Sequence, residues 1–302
     1  MSATVRNGVT IDDTFAEAFP MRGTALVVTA SSHDWALEAA RSFAGFATSV
    51  IACGCEAGVD RLLQPDETPD GRPGLRILLF AMDTKSLEKQ LAVRLGQCIL
   101  TSPGSACFAG LEGEAPLPLG NAIRYFADGW QVSKKFGGRH FWRLPVMDGE
   151  FLCEATTGLT KQAVGGGNLL IMGETAAKTL CAAEAARDAI LTVEGCIMPF
   201  PGGIVRSGSK IGGKYKGMIA STNDAYCPVL KGATTTALSA NIESVLEIVI
   251  DGLTAERVAS AMRAGLEAIV ALGPQSGAVR VSAGNYGGKL GPHHFHLREL
   301  LP

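Results

Sequence analysis

The feature that most restricts the fold is an order of elements that occurs twice along the chain. Residues 25–30 read as a strand, 35–43 as a helix and 48–52 as a second strand, followed by strand 75–80, helix 86–95 and strand 97–101. The second half repeats this order with strand 168–172, a helix around 184–187, strands 195–198 and 246–250, helix 254–271 and strand 278–282. The first helix of each half carries the same tetrapeptide, Glu38-Ala-Ala-Arg41 and Glu184-Ala-Ala-Arg187. Thr254 is placed as the N-cap of the last long helix, with Glu256 in its first turn. Each half spells β-α-β-β-α-β, the split pattern of ferredoxin-like folds. The expectation is an α+β chain of two duplicated ferredoxin-like lobes, 1–147 and 148–302, with the seam near Leu144-Pro-Val-Met-Asp-Gly149.

The halves differ in what lies between their middle strands. The second half inserts Pro199-Phe-Pro-Gly-Gly-Ile-Val-Arg-Ser207, then the cations Lys210, Lys214 and Lys216 among glycines, then Ser221-Thr-Asn-Asp-Ala-Tyr-Cys-Pro228. Glycine lets backbone N–H groups approach a ligand, and basic side chains beside such a backbone form an anion-binding surface. Loops of this length in a compact domain usually carry function, which places the chemistry in the second half. The run from Gly208 to Lys214 imitates a phosphate loop, but Tyr215 stands where a Ser or Thr should bind magnesium, and Pro199 and Pro201 break the strand that should lead in. Anion recognition by the lysines and a solvated basic loop are the remaining alternatives.

Glu247 is the most pointed single residue. Strand alternation places it with Val245 and Val249, while Leu246, Ile248 and Ile250 take the opposite face. A carboxyl among apolar neighbours is desolvated and holds its proton towards neutrality, which suits a general acid facing a developing oxyanion; a solvent-facing Glu on a one-sided sheet is the alternative. In His293-His-Phe-His296, His294 and His296 share a strand face, but only Glu299 among acids lies nearby, so a surface or interface cluster is expected rather than a metal site. Ser282-Ala-Gly-Asn-Tyr-Gly-Gly-Lys-Leu-Gly291 ends the last strand in a second glycine-rich loop, with a functional loop and a structural turn as alternatives, and residues 11–19 read as an ordered strand or interface arm, with substrate contact as the alternative.

Composition narrows the class. Of 302 residues 47% are hydrophobic, enough for a large core, and a net charge of −2 argues against a nucleic-acid binder. No apolar run reaches the ~18 residues of a membrane span; residues 23–30 imitate a signal sequence but follow Asp12, Asp13 and Glu17, so a buried strand is expected. Eight cysteines without a Cys-x-x-Cys spacing, in a chain too large to need staples, fit a reducing cytoplasm, with Cys53 and Cys55 as core thiols.

Five strings resemble the formylmethanofuran–tetrahydromethanopterin formyltransferase family: Asp12-Asp-Thr-Phe-Ala-Glu-Ala-Phe19, Asp66-Glu-Thr-Pro-Asp-Gly-Arg-Pro-Gly74, and those at 199–207, 221–228 and 282–291. They occur in family order along the whole chain. The resemblance implies two ferredoxin-like lobes, homo-oligomers built from dimers with clefts near subunit contacts, and no metal or prosthetic group. It implies reversible formyl transfer between the amine of a methanofuran-type carrier and N5 of tetrahydromethanopterin, both of them co-substrates. It also implies that Glu247, on the strand Glu-Ile-Val-Ile, assists the tetrahedral intermediate. The substrate contacts expected from the matching strings are Gly202, Gly203, Arg206, Ser207, Lys210, Asn223, Asp224, Tyr226, Asn285 and Lys289. Archaeal members are often very acidic, whereas this chain is nearly neutral. It looks like the bacterial type that joins hydrolase subunits in a formyltransferase/hydrolase complex and serves formaldehyde oxidation. Two alternatives stand beside this reading. One is a non-catalytic cofactor-binding scaffold subunit, favoured if Glu247 faces bulk water; the other is a metal-dependent acyl hydrolase using the histidines.

Overall fold

In the computed structural model, which describes residues 3–273, 277–289 and 291–301, both halves close the expected motif. The first half contributes Arg22–Thr29, Glu56–Leu63, Gly74–Ala81 and Ala106–Ala109 as motif strands one to four. They lie side by side in the order two-three-one-four, all antiparallel. The second half contributes Val164–Gly173, Cys196–Ile197, Ser244–Gly252 and Ala278–Ser282, in the same order and again antiparallel. The chain is thus α+β, with helices His33–Ala44 and Thr84–Arg94 against one sheet and Ala176–Ile190 and Ala255–Leu272 against the other.

Each of these helices starts in the same way. Ser32, Asp83, Thr175 and Thr254 are extended N-caps whose side chains accept the backbone N–H three residues on, from Trp35, Ser86, Lys178 and Arg257. Such a cap contributes about 1 kcal/mol. Alternation then divides the sheets: Leu169, Ile171, Ile248 and Ile250 meet Ala182, Ala186, Val258, Met262 and Leu266 in the second core. On the other face of the first sheet, Leu78 and Phe80 pack with Met21, Ala163, Ile197 and Leu253 where the lobes join.

Two expected strands are not strands. Residues 48–52 hold the short helix Val50–Cys53, because Ser49 accepts the Ile51 N–H, the Glu56 carboxylate accepts the Val50 N–H at 2.9 Å, and Gly54 stops the turn in the left-handed region at φ 77°. Within 97–101, helical backbone continues through Leu95–Ile99, and the strand comes later, at Ala106–Ala109. Leu87, Leu91, Leu95 and Ile99 are all buried at a four-residue spacing, a helical period that outweighs the local apolar run.

Strands cross between the halves. Ala3–Arg6, Val9–Asp12 and Phe15–Pro20 join the second sheet, the middle one pairing in parallel with Ala278–Ser282. Gly149–Glu154 returns to the first sheet, parallel to Ala106–Ala109. The junction also buries acids. Asp60, its side chain fully buried, meets Arg76 Nη1 at 3.0 Å and accepts the Gly195 N–H of the other half at 2.7 Å. Burial raises its carboxyl against the pull of that N–H and of Arg76. Asp251 accepts the Gly166 N–H at 3.2 Å through Oδ1, while its buried Oδ2 has no N–H or O–H partner. Burial first, and then Glu56 from the other half, push the Asp251 carboxyl well above its usual range.

Candidate active site

Glu247 sits at the middle of Ser244–Gly252 and pairs with Leu170 on one side. On the other side its backbone is clasped by the insertion: Val205 donates to the Glu247 carbonyl at 2.7 Å, and Glu247 donates to the Val205 carbonyl at 2.9 Å. This two-way bridge fixes the insertion's first segment as a local edge to the sheet. By alternation Glu247, Leu170 and Val245 face away from the helices. Leu170, Met172, Leu238, Ile242, Val245 and Tyr226 pack together on that face under the insertion. Glu247 is half-buried there, and no ion pair or hydrogen bond reaches its carboxyl among the described residues. Desolvation alone pushes it from 4.5 to about 7. The chain thus holds a carboxyl close to half-protonated at neutral pH on an apolar face, suited to donating a hydrogen bond or a proton.

The other expected contacts divide between places. Tyr226 lies on the Glu247 face. Asn223 and Asp224 are half-buried close by in sequence, and Asp224 binds Lys210 Nζ at 2.5 Å, which lowers the Asp224 carboxyl. The strand pair Lys210–Ile211 with Ala220–Ser221 forms a hairpin whose tip exposes Lys214, Tyr215 and Lys216. Gly202 and Gly203 turn the chain at φ 63° and 77°, and Gly203 packs on Arg187 and Met198. Gly202 and Arg206, with Ile204 and Leu246, line a separate cleft of ≈ 620 Å³ beside Ala176–Ile190. Since Val205 pairs with Glu247, alternation carries Arg206 to the helix side of the sheet. Ser207 is exposed. Asn285 and Lys289 ride on the loop after Ala278–Ser282; Leu290 of that motif lies outside the described residues.

That loop brings in residues that the sequence reading did not single out. Ser282 pairs with Leu170, so Glu247, Leu170 and Ser282 form one row across three strands. In the next row Asn168 pairs with Val249, and its amide takes both backbone groups of Gly284: the Gly284 N–H donates at 2.6 Å, and Nδ2 donates to the Gly284 carbonyl at 3.2 Å. Glu17, 1% exposed, accepts backbone N–H groups from Tyr286 at 2.7 Å, Gly288 at 2.9 Å and Gly291 at 2.7 Å. The histidines also serve the loop. His294 pairs across the strands with Glu17, and its Nε2 contacts the Gly291 carbonyl at 3.0 Å. Asn168 carried the same signal as Glu247, a polar residue in an apolar strand. Glu17 carried none beyond its place in the 12–19 string.

Comparison with known proteins covers nearly the whole chain. Residues 4–146 match the family model described as formylmethanofuran-tetrahydromethanopterin formyltransferase, and 149–300 match that of the FTR proximal lobe. A formylmethanofuran–tetrahydromethanopterin formyltransferase of Methylococcus capsulatus is 62% identical, over 98% of this chain and 99% of its own. A chain in the crystal structure of the formyltransferase/hydrolase complex from Methylorubrum extorquens, in complex with methylofuran, superposes with a TM-score of 0.98 at 57% identity, covering 100% of this chain and 99% of its own. The Methanosarcina barkeri formyltransferase follows at 0.93 and 46%, covering 98% and 100%.

Proposed function

The chain belongs to the formylmethanofuran–tetrahydromethanopterin formyltransferase family, and from that premise we propose that it is an acyltransferase. It moves a formyl group reversibly between the amine of a methanofuran-type carrier and N5 of tetrahydromethanopterin. Both carriers are co-substrates, and because their own nitrogens supply nucleophile and leaving group, the chemistry needs no nucleophile from the protein. What it needs is close placement of amine and formyl carbon, and relief of the negative oxygen formed when nitrogen adds. The observation that carries the proposal is Glu247, desolvated to about 7 on the face roofed by the insertion. Protonated, it donates to that oxygen and recovers its proton as the intermediate collapses. Its half-buried position speaks against the scaffold alternative, which requires a carboxyl in bulk water.

We assign the cations of 210–216 and Lys289 to carboxylates of the carriers, and Asn223 and Asn285 to hydrogen-bonding contacts, whereas Gly202 and Arg206, which line the separate cleft, are left out of the assignment. We extend the proposal to a homo-oligomer that joins a formyl-hydrolysing complex in the cytoplasm, passing formyl from pterin to furan carrier during formaldehyde oxidation. Support for assembly is a cleft of ≈ 740 Å³ lined by Leu100, Phe126, Pro145, Val146 and Met147, in which Phe126 is 70% exposed and Met147 fully exposed, an apolar area that a second copy of the chain would cover. The deciding experiment is a spectroscopic formyl-exchange assay with purified protein, formyl donor and reduced pterin. Transfer that is lost in Glu247→Gln supports the proposal, and transfer that survives it overturns the role of Glu247.

A further inference from the structure

The loop after Ala278–Ser282 sits in a fork. Ala278–Ser282 pairs along residues 170–173 of the long strand Val164–Gly173, and Phe15–Pro20 pairs along 164 and 165 of the same edge. Between the two contacts residues 166–169 pair with neither neighbour, and Gly284 bridges the gap, its carbonyl accepting the Glu17 N–H at 3.2 Å. Asn168 holds Gly284 at the mouth of the fork, one row from Glu247. Asn285 is held from the side, its Nδ2 donating to Thr14 Oγ1 at 3.1 Å and to the Phe15 carbonyl at 3.2 Å. Gly287 and Gly288 at φ 78° and 69° curl the backbone so that the Tyr286 and Gly288 N–H groups converge on the Glu17 carboxylate, while the Gly287 N–H between them donates to Asn285 Oδ1 at 3.1 Å. A buried carboxylate gathering backbone N–H groups is a fixed point for the loop rather than a surface contact. Tyr286, the one residue here with both a large ring and a polar tip, lies with its ring centroid 6.2 Å from that of Phe19 and is 39% exposed.

We propose that Tyr286 is a second hydrogen-bond donor of the Glu247 site, and that Glu17 is the positioning residue that holds it there. The inference rests on the formyl-transfer reading of that site. Ala16 and Ala18 of Phe15–Pro20 enter the helix-side core, so alternation puts Glu17 and Phe19, with the Tyr286 ring against Phe19, on the face of the sheet that Glu247 takes. Burial first, then Glu247 and Glu17, raise the Tyr286 phenol, which keeps its proton through neutral pH. The two donors have different duties. Glu247 titrates near neutrality and can give up and regain a proton, whereas the phenol keeps its proton and contributes a hydrogen bond to the oxygen that becomes negative when the amine adds to the formyl carbon. When the intermediate collapses, the oxygen returns to a carbonyl and the phenol is unchanged.

The test combines kinetics with a titration. Tyr286→Phe should lower kcat about 10²-fold with KM changed less than about 3-fold, as expected for a donor that acts on the intermediate. Glu17→Gln should lower kcat similarly, and the double variant should be no slower than the worse single one, because both remove the same contact. A readout independent of activity is tyrosinate absorbance: the wild-type curve minus that of Tyr286→Phe isolates one phenol, whose midpoint should lie above the ordinary 10 and move down in Glu17→Gln. If Glu17→Gln does not fold, Glu17→Asp, which keeps the charge but shortens the reach, should retain the raised midpoint and lose rate. If Glu247→Gln transfers formyl normally, the reading of the site fails whatever Tyr286 does. If Glu247→Gln is inactive while Tyr286→Phe stays within about 2-fold of wild type, the donor role fails and the site reading stands. Normal kcat in a folded Glu17 variant overturns the positioning role.

Discussion

The carboxyl proposed to drive catalysis should also weaken the fold, and this can be measured without substrate. Glu247 is pushed from 4.5 to about 7 by desolvation, so between those values the folded chain binds a proton that the unfolded chain has released. Stability therefore falls as pH rises through that window; it is fully present below pH ~4.5 and lost by pH ~8. At about 1.4 kcal/mol per pH unit, the cost is about 3 kcal/mol. Glu247→Gln removes the charge that is disfavoured, keeps the shape and leaves the two-way backbone bridge to Val205 intact. Urea melts at pH 5 and pH 8 should therefore show wild type losing about 2.5 kcal/mol more than the variant across that interval. In a thermal scan at pH 8 the variant should melt several degrees higher, at roughly 2–4 °C per kcal/mol for a chain of this size. The same variant should lose formyl transfer by about 10²–10³-fold. A more stable, inactive protein is the expected signature of a group strained for function. Parallel pH dependence in the two proteins would refute the burial argument, and a stable variant with full activity would refute the catalytic one.

Four further outcomes follow from the geometry. Asp251→Ala should destabilise by about 2–3 kcal/mol at neutral pH, because it strands the Gly166 N–H and empties a fully buried side-chain site. Asp251→Asn should cost less and flatten the stability lost on going alkaline, since a raised Asp carboxyl in the fold is stabilising only at low pH; chemical melts from pH 6 to 9 measure both. Asp60→Ala leaves Arg76 and the Gly195 N–H without their partner and should cost about 3 kcal/mol, read as a lower urea midpoint at unchanged slope. Arg206→Ala should change kcat less than about 3-fold, because alternation puts Arg206 on the side of the sheet opposite Glu247; a 10²-fold fall in kcat would show that its cleft belongs to the reaction centre.

Much of the scaffold was legible because it rests on periodicity. The tetrapeptide shared by Glu38–Arg41 and Glu184–Arg187, and the alternation around Glu247, placed the motif strands and the facing of the carboxyl with no tertiary information. The two strands read wrongly were short apolar runs in which local composition and tertiary context disagree. Residues 48–52 turned helical through a Ser49 cap and a Glu56 contact from beyond the segment, and 97–101 was the tail of a helical stripe begun at Leu87. Within the site, sequence order kept together what space separates. Arg206 is adjacent to Val205, yet a single step of alternation sends it through the sheet. Conversely, Glu17 and Tyr286 are far apart in sequence and meet through a carboxylate and a backbone N–H at 2.7 Å, a contact that no local pattern announces.

The strands traded between the halves constrain how this chain can be made or divided. A protein cut at the turn between Arg139–Val146 and Gly149–Glu154 would yield one piece bearing the hairpin Ala3–Arg6 and Val9–Asp12 and the strand Phe15–Pro20, whose remaining strand partners all belong to the other piece. The complementary piece would hold the strand that the first sheet needs beside Ala106–Ala109. Neither piece alone can hide its open edges, so both should aggregate when produced separately and become soluble when co-produced. On the ribosome, Glu17 emerges 269 residues before Tyr286, whose N–H is one of those that engage its carboxylate. A chain stopped short of residues 286–291 therefore leaves those Glu17 contacts unmade, and with them the proposed setting of Tyr286.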